Sequence, residues 1–282
     1  MGLGNWSGLL KLLPAIVVVS LLSVVGAGVL AYQRRGPDNE EEEAPPLPPG
    51  ADRSAEWTFA RFHFPSNSGF GEGFGGGFGG FRGFQLWAAD YPKADRQFEQ
   101  GVRRLTRLAT RPKEQVVDAD SDDLYNWPWI YMEHGGGWTL NEAQAARLRE
   151  YLLKGGFLVS DDTHGDYEWG SLVLGLEMIF PGRPIEDLRN DDEVFHTMYD
   201  LDERFQIQGT RFVWGGRQYS PDMAVPKWRA IRDDKGRIMV AIYHNSDVGD
   251  AWEWADSPKY PERQTSLAYR LGINYILYDM TH

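Results

Sequence analysis

The chain is 282 residues long, carries a net charge of −12, contains eleven tryptophans and has no cysteine. The missing cysteine excludes a thiol nucleophile, a thiolate metal site and any disulfide framework. Lys11, Arg34 and Arg35 are the only charged residues up to position 35, so the remainder sets 26 basic against 41 acidic side chains. Such a surface repels phosphate backbones and excludes nucleic acid as a partner.

After a short flank over 1–11, residues Leu12 to Tyr32 form an apolar run without a charge. At about 1.5 Å per residue a helix over 12–32 crosses a hydrocarbon layer of about 30 Å. A cleaved signal has a shorter apolar core, of about 7–15 residues, which favours a retained anchor and makes the membrane a partner through residues 12–32. Lys11 at one end nearly balances Arg34 and Arg35 at the other. The expected arrangement is single-pass, with the C-terminal domain outside the cytoplasm and an envelope protein as the partner within its reach. Residues 33–55 contain Glu40 to Glu43 and then Pro45, Pro46, Pro48 and Pro49. Charge repulsion and polyproline preference make them an extended, disordered spacer.

The remainder, 56–282, reads as one domain. Trp57 to Phe64 alternates as a strand. The stretch 69–84, rich in glycine and phenylalanine, is an insertion; it lacks the Gly-Lys-Ser/Thr ending of a phosphate loop. Asp95 to Leu108 has Phe98, Val102, Leu105 and Leu108 at helical spacing. Trp127 to Glu133 is a bulky apolar strand, and Thr139 with Glu142 forms a capping box for a helix through Leu153. Phe157 to Asp161 has the continuous apolarity of a strand buried on both faces. A helix follows over about Trp169 to Phe180, then a strand from Arg237 to Tyr243 and a closing helix from Thr265 to Tyr278. Alternating strands and helices imply an α/β fold, a three-layer sandwich with a mostly parallel sheet. Ligands in that architecture collect at the carboxyl ends of the strands.

Polar clusters follow the predicted strands. Asp161, Asp162, His164 and His244 are the catalytic candidates, because a His–Asp pair can move protons between substrate and water. Asp90, Glu133, His134, Trp138, Asn245, Asp247, Asp250 and Trp252 are the binding candidates, with the tryptophans suited to stacking on a ligand. The imidazoles and carboxylates are chemically competent metal ligands, but no HExxH or comparable spacing occurs, and neither metal nor cofactor is legible. No Gly-x-Ser-x-Gly elbow exists either. Each cluster also has a structural explanation: Gly135 to Gly137 as a tight turn, Asp161 and Asp162 as caps, His244 and Asn245 satisfying backbone groups, the tryptophans as core.

Several motifs occur in a fixed order: Trp87-Ala-Ala-Asp90-Tyr91-Pro92, Met132-Glu-His-Gly-Gly-Gly-Trp138, Gly155-Gly-Phe-Leu-Val-Ser-Asp161-Asp162-Thr-His164-Gly165, and His244-Asn245-Ser-Asp247-Val-Gly-Asp250-Ala-Trp252-Glu253. The tail Leu267-Ala-Tyr-Arg-Leu-Gly-Ile-Asn-Tyr275 completes them. With these the chain resembles the bacterial domain-of-unknown-function family 4159 from about Glu56 to His282. The resemblance implies a flavodoxin-like fold related to class I glutamine amidotransferases, in an exported or membrane-tethered protein. It implies no established activity. Amidotransferases of that class use a cysteine, so their activity does not transfer to this chain. The expected function is a membrane-tethered envelope module that binds a partner or ligand without catalysis; the alternative is a hydrolase, metal-assisted or not, built on the His/Asp cluster.

Overall fold

The computed structural model describes residues 43–66 and 85–282. The predicted membrane span over 12–32 and the glycine-rich insertion at 69–84 lie outside the described residues. Among those described, no helix is long and apolar enough to cross a membrane.

The first strand, β1 (Trp57–His63), leads to helix α1 (Lys93–Leu105) and then to strand β2 (Thr110–Asp118). Strand β3 (Trp129–Met132), helix α2 (Glu142–Leu153), strand β4 (Phe157–Thr163) and helix α3 (Gly165–Ile179) follow. After a two-residue strand β5 (Glu186–Asp187) and a single turn α4 (Thr210–Val213) come β6 (Lys227–Arg232) and β7 (Ile238–His244). Helices α5 (Val248–Glu253) and α6 (Glu262–Thr281) close the chain. One seven-stranded sheet has the order β2-β1-β3-β4-β7-β6-β5. Strands β2, β1, β3, β4 and β7 are mutually parallel, whereas β6 and β5 add antiparallel at one edge.

Alternation along the strands divides the core in two, because successive side chains point to opposite faces. Trp57, Phe59, Trp129, Tyr131, Phe157 and Tyr243 face one side and pack with residues of α1, α5 and α6. Ala60, Phe62, Ile130, Leu158, Val240 and Ile242 face the other and pack with α2 and α3. Strands β3, β4 and β7 are buried at every position, as the apolar runs predict for the middle of a parallel sheet.

Several details differ from the sequence reading. Helix α1 ends at Leu105, where Thr106 turns extended and its hydroxyl donates to the Val102 carbonyl; Leu105 is left exposed. The capping box of α2 is Asn141 with Gln144, since Thr139 is occupied by the Pro65 carbonyl, to which both its amide and its hydroxyl donate. Strand β4 runs on through Asp161 and Asp162, which therefore lie in the strand rather than past it. The end of the predicted spacer is pinned at several points although mostly exposed: Ala51 is buried, Asp52 pairs with Lys113 at 2.9 Å, and the Pro45 carbonyl accepts from Arg96.

Candidate functional site

At the carboxyl edge of the parallel strands the backbone departs from ordinary geometry. Among the described residues the non-glycine positions with positive φ are Asp90 (60°), His134 (48°), Asp162 (45°) and Asn245 (63°). Asp90 precedes α1, His134 follows β3, Asp162 lies near the end of β4 and Asn245 follows β7. Short polar side chains tolerate this region best, and strained residues concentrate where a site requires them. Strand β4 also bulges there: Ser160 pairs with Ile242 but Thr163 with His244, so β4 has one residue more than β7. A bulge of this kind re-aims side chains, and it brings two adjacent carboxylates to the same edge.

Asp162 is the hub of one group. Its Oδ2 lies 2.6 Å from His134 Nδ1 and its Oδ1 2.8 Å from His164 Nδ1. Burial opposes its charge, but the two histidines outweigh burial and hold its carboxyl well below the ordinary range. Burial likewise lowers the His134 pKa, but Asp162, Glu133 and Glu168 outweigh it and raise it to about 9, so His134 is an imidazolium at neutral pH. With Asp162 ionised, His164 donates from Nδ1. Its other nitrogen, Nε2, is buried without a hydrogen-bond partner. The His164 amide donates to Glu168 Oε2, whose carboxyl burial pushes up to about 7. Above the ring lies Tyr219, parallel to it at 5.9 Å, which itself stacks on Phe212 at 3.7 Å. The segment after β5 thus covers His164.

Asp161 faces the other side of the sheet. Its Oδ2 accepts from the Val248 and Gly249 amides at 2.8 and 2.7 Å, and the Tyr131 hydroxyl lies 2.5 Å away. The same hydroxyl is 2.8 Å from Glu133 Oε2. One phenol has one proton to give. It can serve only one of these contacts at a time, so one of the two carboxyls carries the proton of the other. Burial pushes both carboxyls up: Asp161 to about 7, and Glu133, beside the charges of Asp161 and Asp162, well above its usual value. Arg61, buried in β1, pairs with Asp95 and lies 3.5 Å from Glu133 Oε2.

The remaining candidates separate into site and scaffold. Asp90 is partly exposed and approaches Glu133 across Gly249. Asp247 caps α5 by accepting from the Asp250 amide, and Asp250 Oδ2 accepts from the Thr210 amide and hydroxyl. Asn245 is a clamp: its Oδ1 accepts from the Gly165 amide, and its Nδ2 donates to the carbonyls of Asp222 and Val225. His244 turns away from Asp162. Arg229 donates to its Nδ1 at 3.0 Å and its ring stacks on Trp169 at 4.6 Å. Burial, Arg229 and Lys227 lower its pKa to about 4, keeping it neutral. Trp138 and Trp252 are core residues, not a stacking rim. Trp138 packs against Gly175 of α3, and Trp252 stacks on Phe98 at 4.0 Å.

Arg61, Tyr131, Glu168 and Tyr219 are site residues that the sequence reading missed. For Arg61 a signal existed: it occupies an inward position of β1, in line with Trp57 and Phe59, where a charge is out of place. Tyr131 looks like any bulky strand residue until its hydroxyl is seen between two carboxylates.

Among the described residues, three overlapping sets bring one ligand atom per residue within 4.8 Å of one another: Glu133 with His134 and Asp162, Asp90 with Asp250 and Glu253, and Asp90 with Glu133 and Asp247. Of the candidates, Asp90, Glu133, His134, Asp162, Asp247 and Asp250 thus come together, with His164 joined through Asp162 and Asp161 through Tyr131; the side chains of His244, Trp138 and Trp252 do not join them.

No curated protein matches the chain. The family described as "Domain of unknown function (DUF4159)" matches residues 83–280, a span that begins after β1 and contains every candidate named from the sequence. The motifs and the match agree: the chain belongs to the DUF4159 family.

Proposed function

We propose that the domain is a hydrolase working by acid–base chemistry at the Asp162 carboxylate, in a protein tethered to the membrane through residues 12–32 with its domain outside the cytoplasm. The observation that carries this reading is the double engagement of Asp162 by His134 and His164. Asp162 accepts from His164 Nδ1 and so orients the ring, leaving Nε2 as the base for a water molecule once the covering segment moves. The imidazolium of His134, on the other oxygen of the same carboxylate, supplies positive charge for the developing oxyanion and a proton for the leaving group. Base, orienting carboxylate and acid are the parts that hydrolysis with water as nucleophile requires.

The strand order β2-β1-β3-β4-β7 supports the flavodoxin-like assignment. In that order the topological switch point lies between β1 and β3, and Asp90 and Glu133 stand at its carboxyl side. Binding without turnover is favoured by one observation: Tyr219 covers His164. Substrate access then requires the 210–223 segment to move.

A panel of ester, amide, glycoside and phosphoester substrates tests the reading on the purified protein. Asp162→Asn and His164→Gln are expected to lower kcat/KM by about 10²-fold or more with the fold retained by circular dichroism. No turnover by the wild-type chain rejects catalysis and leaves the binding module, whereas wild-type turnover by both variants rejects the Asp162 and His164 assignment.

A further inference from the structure

The Asp162 group does not absorb the carboxylates on the β1–β3 side of the same edge. Asp90, Glu133 and Asp247 each bring an oxygen within 4.8 Å of the others. Like charges surround them: Asp90 is repelled by Asp250, Glu253 and Glu133, and Asp247 by Asp162, Asp250, Asp90 and Glu133. Arg61 reaches this group only at 3.5 Å, with Asp95 holding its other side.

Two further observations separate this cluster from an ordinary acidic patch. Glu133 is completely buried, yet its Oε1 has no hydrogen-bond partner. A buried carboxylate oxygen without a donor costs free energy that a bound cation removes. The second observation is Gly249. A β-carbon there would stand 2.6 Å from Glu133 Oε2, 2.7 Å from Asp90 Oδ2 and 3.0 Å from the Tyr131 hydroxyl. Helix α5 thus has no side chain at the point where these oxygens converge.

We propose that Asp90, Glu133 and Asp247 form a binding site for a hard divalent cation of the calcium, magnesium or manganese class. All three donors are carboxylate oxygens, the ligands such ions prefer. Partial exposure of Asp90 gives the ion a way in and leaves room for water in its coordination shell. The neighbouring set of Glu133, His134 and Asp162 would suit a softer ion such as zinc. There, however, both Asp162 oxygens already accept from histidines. The proposal is independent of hydrolysis, and its test reads binding alone.

The full-length chain, purified in detergent and stripped with EDTA, is titrated separately with Ca²⁺, Mg²⁺, Mn²⁺ and Zn²⁺ by calorimetry and thermal unfolding. One of the first three is expected to raise Tm by about 5–10 °C at about a hundred times its Kd. Asp90→Asn is the principal variant, because asparagine matches aspartate in size and accepts a φ of 60°. It is expected to weaken binding about tenfold or more, with an ion-free Tm no lower than that of the wild type. Glu133→Gln is the second variant and is expected to weaken the same ion. No stabilisation of the wild type by any ion overturns the proposal, as does unchanged affinity in both variants. A preference for zinc that His134→Ala abolishes moves the ion to the histidine set and also overturns it.

Discussion

Asn245 combines a strained backbone, φ 63°, with three side-chain hydrogen bonds that tie the end of β7 to Gly165 and to the 222–225 loop. Asn245→Ala leaves those partners unmet and places a β-branchless but still L-configured residue at positive φ. A loss of about 2–4 kcal/mol is expected, with Asn245→Gly recovering only the backbone part, about 1 kcal/mol, in urea unfolding. His244 gives a pH prediction at the same scale. Burial, Arg229 and Lys227 lower its pKa to about 4 in the fold, against about 6.5 in an unfolded chain. As pH falls, the unfolded chain takes up the proton first. The stability it contributes is therefore whole above about pH 6.5 and is lost as pH falls toward about 4. His244→Gln is expected to flatten that part of a urea-midpoint profile; an unchanged slope would assign the loss to other groups. Polar residues such as Asp162 and His164 were legible in the sequence because they follow an apolar run. Their mutual contacts were not, and neither was the diversion of His244 to Arg229, because strand alternation gives a side chain a face but not a partner.

Helix α3 owes its position to a glycine. A β-carbon at Gly175 would lie 2.4 Å from the indole of Trp138, so the helix seats directly on that ring. Gly175→Ala gains about 1 kcal/mol of helix propensity but must displace a buried tryptophan. The expected net result is a destabilisation of about 1–3 kcal/mol in thermal or urea unfolding. Helices α1 and α5 meet through Phe98 stacked on Trp252, both fully buried, and Phe98→Ala is expected to cost about 3–5 kcal/mol. Strand β2 shows why some elements escaped the sequence reading. Its residues, TRPKEQVVD, include a proline and four charges. That composition fits only an edge strand, and β2 is one, with a register break opposite β1 where Pro112 falls. Strand β6 was missed for a related reason: its arginines are satisfied by β5-side carboxylates such as Asp187, so its pattern reads as a charged surface.

For the whole molecule the acidic balance and the apolar N-terminal run point in different directions. An acidic surface has no attraction for anionic headgroups. The proposed membrane tether therefore rests on residues 12–32 alone. A chain lacking residues 1–42 is expected to move from the membrane fraction to the soluble fraction while its Tm stays within about 2 °C, because the docked points at Pro45, Ala51 and Asp52 are retained. Persistence of the shortened chain in membranes would reject the anchor. The sheet explains how a single edge collects so much chemistry: parallel strands all present their carboxyl ends to the same side, and their connections supply polar loops there.

Local sequence determined the elements that periodicity can mark: the apolar central strands β3, β4 and β7, the amphipathic face of α1, the long closing helix, and the polar clusters that follow the strands. Through the absent cysteine it also excluded a thiol nucleophile and a thiolate metal site. Only the tertiary structure decided which of those polar residues meet. The bulge in β4 turns Asp161 and Asp162 to different partners, Asn245 becomes a clamp, Trp138 and Trp252 enter the two cores, and Arg61, thirty-four residues from Asp95, becomes its buried counter-charge. The physical reason is that hydrophobic periodicity is a property of neighbours in the chain. Ion pairing, desolvation and orphaned oxygens are properties of neighbours in space, and at this edge those neighbours come from four different strands.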